Sequence, residues 1–264
     1  MLSLYVRLIG ARIRSQMQYK VSFWLELIGF ALTTALEFAV IAILFSQFPS
    51  VGGWSIAEVA VLYGFSSTAL GLAEMFGRGF DAPFERMIQQ GAFDVVLIRP
   101  QGTFFQILSS EFQLRRLGRS FQGIVVLGFA ISQLSIQWTV AKGLLLPLTL
   151  IAGTLIYLGL VVIGATICFW TVKTPEVMNI FTFGGDLLMS YPISIYSEWI
   201  RGFFLLIVPL VFINYPTALL LLDKHDPHGL PGALAWVAPF AAMLFLGIAR
   251  AFWSVGVSKY TSSL

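Results

Sequence analysis

Between Val21 and Phe45 the sequence runs for 25 residues with only two charged side chains, Glu26 and Glu37, and between Leu144 and Trp170 it runs for 27 with none. A bilayer's hydrocarbon core is about 30 Å thick, which a helix crosses in about 20 apolar residues. Inside lipid a helix satisfies its own backbone donors and acceptors. These two runs therefore require an all-α membrane protein. Composition agrees, with 58% hydrophobic and 11% charged residues, where soluble domains carry about 25% charged. The first run is too long for the core of a signal peptide, and the one cysteine, Cys168, excludes an internal disulfide or a multi-thiolate metal site.

The chain divides into six expected spans within a single transmembrane domain covering 1–264. Residues 1–20 carry Arg7, Arg12, Arg14 and Lys20 among Leu4, Tyr5, Leu8, Ile9 and Ile13, the pattern of an interfacial amphipathic helix. Spans one and two occupy 21–77 and a charged, water-facing region occupies 78–119, in which Thr103 to Gly118 reads as a second interfacial helix. Spans three and four occupy 120–170, as Ser120 to Trp138 and Leu144 to Trp170, with Pro147 able to kink the first turn of the fourth. The stretch 171–222 admits two readings. Hydropathy selects Gly202 to Leu222 as span five. Alternatively span five is Glu176 to Met189, and Ile195 to Leu222, interrupted by Pro209 and Pro216, folds back as a re-entrant hairpin, the reading preferred here. Span six is 233–256.

Of the sixteen Lys and Arg, only Lys142, Arg201 and Lys224 fall on the side opposite the N-terminal segment. The positive-inside rule then puts both termini in the cytoplasm. Trp24, Trp54, Trp138, Trp170, Trp199, Trp236 and Trp253 all lie at expected span ends, as an interfacial aromatic belt requires.

The water-facing segment Phe80 to Pro100, FDAPFERMIQQGAFDVVLIRP, mixes Asp81, Glu85, Arg86, Asp94 and Arg99 with Phe84, Ile88 and Phe93. Asp81 as N-cap, Pro83 in the first turn, Glu85 near the positive dipole end and Gly91 as stop describe a short helix. It is either a coupling element that seats in a groove of a motor subunit or a solvated loop lying on the membrane. The chain itself carries no phosphate-binding G-x-x-x-x-G-K-[ST] loop, no dinucleotide fingerprint, no His-Glu metalloprotease pattern and no basic patch suited to nucleic acid.

Three stretches in order carry a resemblance. Gly91 to Pro100, GAFDVVLIRP, resembles the G-x-F-D-x-x-L-x-R-P element of bacterial type-2 ABC transporter permeases. Tyr191-Pro192-Ile193-Ser194-Ile195-Tyr196 with Pro209 and Tyr215-Pro216 is similar to that family's stretch after span five. Gly256 to Ser262 is similar to its G-x-x-x-Y-x-S tail, with Thr-Ser-Ser-Leu ending the chain where glycine is frequent. The resemblance implies a non-catalytic permease in a bacterial cytoplasmic membrane, with outer re-entrant helices and a second permease chain, identical or related. ATP and magnesium would be bound by separate ATP-binding cassette subunits. It also implies coupling through Asp81 to Gly91, so Asp81, Phe84, Glu85, Arg86, Ile88, Phe93, Asp94 and Arg99 become the expected motor contact. The cargo is expected to be small, amphipathic or lipid-like, leaving through an apolar path.

Glu37, sixteen residues into span one, and Asp186, beside Gly184-Gly185, are expensive where they stand and must face the bundle interior or water. Each reads either as a substrate-path site, for a cationic part of the cargo, or as a hydrogen-bonded carboxyl holding helices together. Glu26 and Glu74 read as structural, with Lys20 and Arg78 as partners. Ala69, Ala73 and Gly77, and again Gly247 and Ala251, form small-residue ladders suited to close helix packing within the chain or at a dimer seam. The Asp223 to His228 loop reads as polar loop rather than metal site. An intramembrane enzyme lacks a converging His, Ser and Asp set, and a secondary transporter or channel lacks the internal repeat that would favour it.

Overall fold

The computed structural model describes residues 2–172 and 177–261, without the side chains of 2–6 and 177. Its elements are α1 (Leu2–Met17), α2 (Lys20–Gln47), α3 (Ile56–Gly77), α4 (Ala82–Gln89), α5 (Asp94–Leu97), α6 (Thr103–Ser110), α7 (Leu117–Gln133) and α8 (Val140–Thr171). After the undescribed residues come α9 (Val177–Asn179), a π-helical turn (Ile180–Gly184), α10 (Gly185–Met189), α11 (Glu198–Leu206), α12 (Tyr215–Leu221) and α13 (Ala238–Lys259). Among the described residues there are no strands. Among the described residues four stretches are long and apolar enough to cross a membrane: Lys20–Gln47, Ile56–Gln89, Val140–Thr171 and Ala238–Lys259. Two of the expected spans correspond to shorter helices, α7 with 17 residues and the apolar run Ile180–Met189.

The bundle is built around α3. Ser55 and Glu58 form a capping box at its start, each side chain taking the other's backbone N–H. From Val59 to Gly71 every residue is buried, as expected of a helix surrounded by others rather than amphipathic. Its small residues let neighbours in. A side chain at Gly64 would strike Leu127, one at Gly71 would strike Ser120, and one at Gly123 of α7 would strike Thr68. On another side Ala69 packs at Gly153 of α8 and Gly77 packs at Leu158. The Ala69, Ala73, Gly77 ladder is thus internal, all three residues being buried. The second ladder is not: nothing approaches Gly247, and Ala251 is exposed. By contrast α2 buries only Phe23, Thr34, Ile41 and Phe45, leaving Leu25, Ile28, Leu32, Leu36, Val40 and Ile43 uncovered.

Several expectations change. Span three ends at Gln133, and Leu134 to Trp138 is non-helical, Leu134 N still donating to Ile131 O and Ile136 N turning back to Leu134 O. The helix expected over Thr103 to Gly118 stops at Ser110. Extended residues 111–113 and a 3₁₀ turn at Leu114–Arg116 follow, and Gln113 donates its backbone N–H to Met75 O of α3 instead of continuing α6. Pro147 lies two turns inside α8, not in its first turn, since Thr139 caps the helix by accepting from Lys142 N. No single helix occupies 202–222. The chain breaks at Pro209 and again at Asn214, whose side-chain amide donates to Leu62 O and Met189 O at 3.0 and 2.6 Å. Glu176, the expected start of span five, lies outside the described residues.

Two tryptophans leave the expected belt. Trp54 stacks near Tyr215 and Trp253 sits in an aromatic cluster, both almost fully buried, while Trp24, Trp138, Trp170, Trp199 and Trp236 are exposed. The three cations on the side opposite the N-terminal segment are all matched. Lys142 meets Asp223 at 2.7 Å, Lys224 meets Glu58 at 2.7 Å, and Arg201 lies 3.8 Å from Glu198. Asp226 accepts from the Tyr215 hydroxyl and from two backbone N–H groups. Both acidic side chains of the Asp223 to His228 loop are therefore engaged in holding it, and among the described residues no metal-binding group of three converges.

Candidate functional site

The charged segment is tied into the chain by its apolar side chains. Pro83 stands in the first turn of α4 and Gly91 ends it with a positive φ of 66°. Ala92 N donates to Met87 O and Gly91 N to Ile88 O, the paired bonds of a Schellman stop. Asp81 occupies the N-cap position, but its carboxylate pairs with Arg78 and does not cap. Phe84, Ile88 and Phe93 point inward. Phe84 and Phe93 meet Phe169 at 5.4 and 5.2 Å between ring centres, and Trp253 at 5.1 and 6.4 Å. Phe93 also meets Tyr260 at 5.0 Å. The G-x-F-D element and the Tyr260 tail, far apart in sequence, therefore share one aromatic cluster under the ends of α8 and α13. Gln106 of α6 donates to Val96 O and Gln101 O, holding the rest of the segment. What remains outward is Arg86, Arg99 and the apolar Val95, Leu97 and Ile98, with Glu85 and Asp94 half-buried.

A second constellation lies inside the bundle. The pairings expected for Glu26 and Glu74 go to other residues: Arg115 binds Glu26 at 2.7 Å and Arg116 binds both oxygens of Glu74 at 3.1 Å. The turn at 114–116 packs on α2, α3 and α7 and so brings successive arginines to these carboxylates, while Arg78 pairs with Asp81. Gly118 lies directly against Leu27 O of α2. That approach admits Arg119, 8% exposed, between α2 and α10. Its Nη2 donates to Asp186 Oδ2 at 2.7 Å and to Glu37 Oε2 at 3.0 Å.

Asp186 is enclosed. Its Oδ1 accepts from Ser66 of α3 at 2.7 Å and, more distantly, from Tyr157 of α8 at 3.5 Å, and Ser66 and Tyr157 bond each other at 2.8 Å. Beside it Tyr63 donates to Thr34 O at 2.7 Å and reaches Gln122 Oε1 at 3.2 Å. Glu37 stands at the edge, its side chain 45% exposed against 5% for Asp186. Between them opens a cavity of about 220 Å³ lined by Glu37, Ile41, Tyr63, Arg119, Phe183, Asp186, Leu187 and Ser190. Asp186 reaches it from just after the π-helical turn. One extra residue in a helical turn re-aims the side chains that follow, and such turns recur at functional sites.

The two carboxylates singled out in the sequence are thus joined through one guanidinium. Arg119 enters the sequence reading only as one of the sixteen Lys and Arg that set orientation. A signal existed: buried carboxylates in lipid require a cation, and Arg119, one turn beyond Arg116, is the last cation before an apolar run that extends to Lys142. At about 1.5 Å per residue, the 28 residues of α2 exceed what the hydrocarbon core needs, and its first turns run beside the charged turn at 114–116.

The chemistry is that of a polar centre in an apolar bundle, with charges, hydroxyls and a cavity. No curated protein and no solved structure matches this chain. Residues 31–263 match the family described as ABC-2 family transporter protein, a span that includes every element from the middle of α2 to the tail. Such proteins are multi-pass membrane transport subunits, generally non-catalytic, that work with ATP-binding cassette subunits. With membrane-length helices and this family match over most of its length, the chain belongs to the ABC-2 transporter permease family.

Proposed function

We propose that this chain is the membrane half of an ATP-driven exporter in a bacterial cytoplasmic membrane, working with a second permease chain, identical or related. The observation that carries this beyond the family is the Arg119, Asp186 and Glu37 centre, buried among apolar helices yet opening on a cavity. Ionisable side chains within spans are costly and mark substrate paths by default. In this reading α7 and Val177–Met189 complete six crossings, and the broken stretch from Ile193 to Leu221 folds back without crossing. Both termini then face the cytoplasm, where 78–110 meets the ATP-binding subunits.

ATP is hydrolysed on those partners, and closure of the motor pushes on the outward face of the charged segment. Because Phe84, Ile88 and Phe93 bind that segment to Phe169 and Trp253, the push passes to the ends of α8 and α13. The cargo is small and amphipathic or lipid-like, since the cavity walls pair apolar and aromatic side chains with one cluster of charged groups, Glu37, Arg119 and Asp186. Co-expression with an ATP-binding cassette subunit encoded beside it, reconstitution in nanodiscs and measurement of ATPase activity test the reading. Wild type is expected to copurify with the subunit, and Glu85→Ala/Arg86→Ala to lower assembly or coupled activity while the permease stays folded. A chain that recruits no ATPase would make it a secondary transporter or channel.

A further inference from the structure

The sequence gives Glu37 and Asp186 identical readings, and their surroundings separate them. Asp186 is saturated, with Arg119 on one oxygen and Ser66 on the other. Glu37 has one oxygen on Arg119, and among the described residues no other group donates to it. Four other carboxylates each hold a cation of their own: Glu26 has Arg115, Glu74 has Arg116, Glu58 has Lys224 and Asp223 has Lys142. At the cavity two carboxylates share Arg119. The surplus is one negative charge, and it resides on the member that is half exposed.

An uncompensated charge among apolar helices is costly, so the site has room and electrostatic demand for one more cation. Tyr63 and Phe183 line the cavity beside Glu37, and aromatic faces attract ammonium groups. An anion is disfavoured, because Arg119 is already held by both carboxylates and the local field is negative. At about 220 Å³ the cavity is smaller than the roughly 300–1,000 Å³ pockets that enclose a drug-sized molecule, so it takes a headgroup. Ile41 closes the inner wall, and the exposed Phe183 and Leu187 form the apolar rim along which a tail leaves.

We infer that Glu37 is the receptor for the ammonium headgroup of an amphipathic organic cation, with Arg119 and Asp186 as the structural pair that positions it. The inference rests on the permease reading and names its substrate class. The purified full-length chain in phosphatidylcholine nanodiscs would be titrated with decyltrimethylammonium and with decanoate, equal tails of opposite head charge. Wild type should bind the ammonium saturably and in preference to decanoate, and Glu37→Gln should weaken the ammonium about tenfold or more, about 1.4 kcal/mol. Independently of any variant, decyltrimethylammonium should slow modification of Glu37 by dicyclohexylcarbodiimide in the wild-type chain, and decanoate should not. Equal affinity in wild type and Glu37→Gln, preference for decanoate, or absence of protection would overturn the inference. A chain that couples to its ATPase without binding the ammonium loses only this site. One that binds the ammonium but recruits no ATPase keeps the site and loses the permease reading.

Discussion

Arg119 is the residue on which most depends. It satisfies two carboxylates and is itself only 8% exposed. Removing one partner of a buried pair strands the other's charge, at about 3–5 kcal/mol, whereas removing both is often close to neutral. Arg119→Met should therefore destabilise the purified chain strongly. Arg119→Met/Asp186→Asn should recover much of the loss, read as thermal or denaturant midpoints in detergent. Equal destabilisation by the single and double variants would mean that Asp186 is held by Ser66 and Tyr157 alone. Sequence inspection found both carboxylates but not their common partner. A carboxylate in an apolar run is visible in one dimension, while its cation, 82 residues away from Glu37 and 67 from Asp186, is assigned only by the fold.

At the scale of elements, helix contacts are set by where backbones approach. Gly118 of α7 touches Leu27 O of α2 and cannot accept a Cβ without moving one helix, whereas nothing lies near Gly128 on the same helix. Gly118→Ala should displace α2 and weaken the Arg119 to Glu37 contact, costing about 1–3 kcal/mol as overpacking does. Gly128→Ala should be neutral or slightly stabilising through helix propensity. Comparing the two in one stability assay isolates the contact. The same scale explains the charged segment. Its helix, proline and glycine stop were legible, because capping chemistry is local. That Phe84, Ile88 and Phe93 turn inward was not, because the rings that receive them, Phe169, Trp253 and Tyr260, lie on helices the chain reaches only much later. The outward surface left for a partner is consequently Arg86, Arg99, Leu97 and Ile98 rather than the whole amphipathic set.

For the molecule as a whole, the region from Pro192 to Leu222 decides the topology. If it folds back without crossing, both ends of it share one side of the membrane. Ser197→Cys and Asp226→Cys, each in a Cys168→Ala background, should then label with an impermeant thiol reagent from outside intact cells, and labelling of only one would restore a crossing through 202–222. The amino-acid order alone was enough to require helices in a bilayer, to place most of their ends, to mark 80–100 as special and to flag two misplaced carboxylates. Those features follow from hydropathy, capping and charge within about 20 residues. Only the tertiary structure decided that α3 is the buried centre, that Trp54 and Trp253 are core rather than belt, and that Glu37 and Asp186 share Arg119. In a chain 58% hydrophobic every helix looks alike along its length, and which apolar face meets protein or lipid depends on glycine-sized gaps and on ion pairs that close across distant helices.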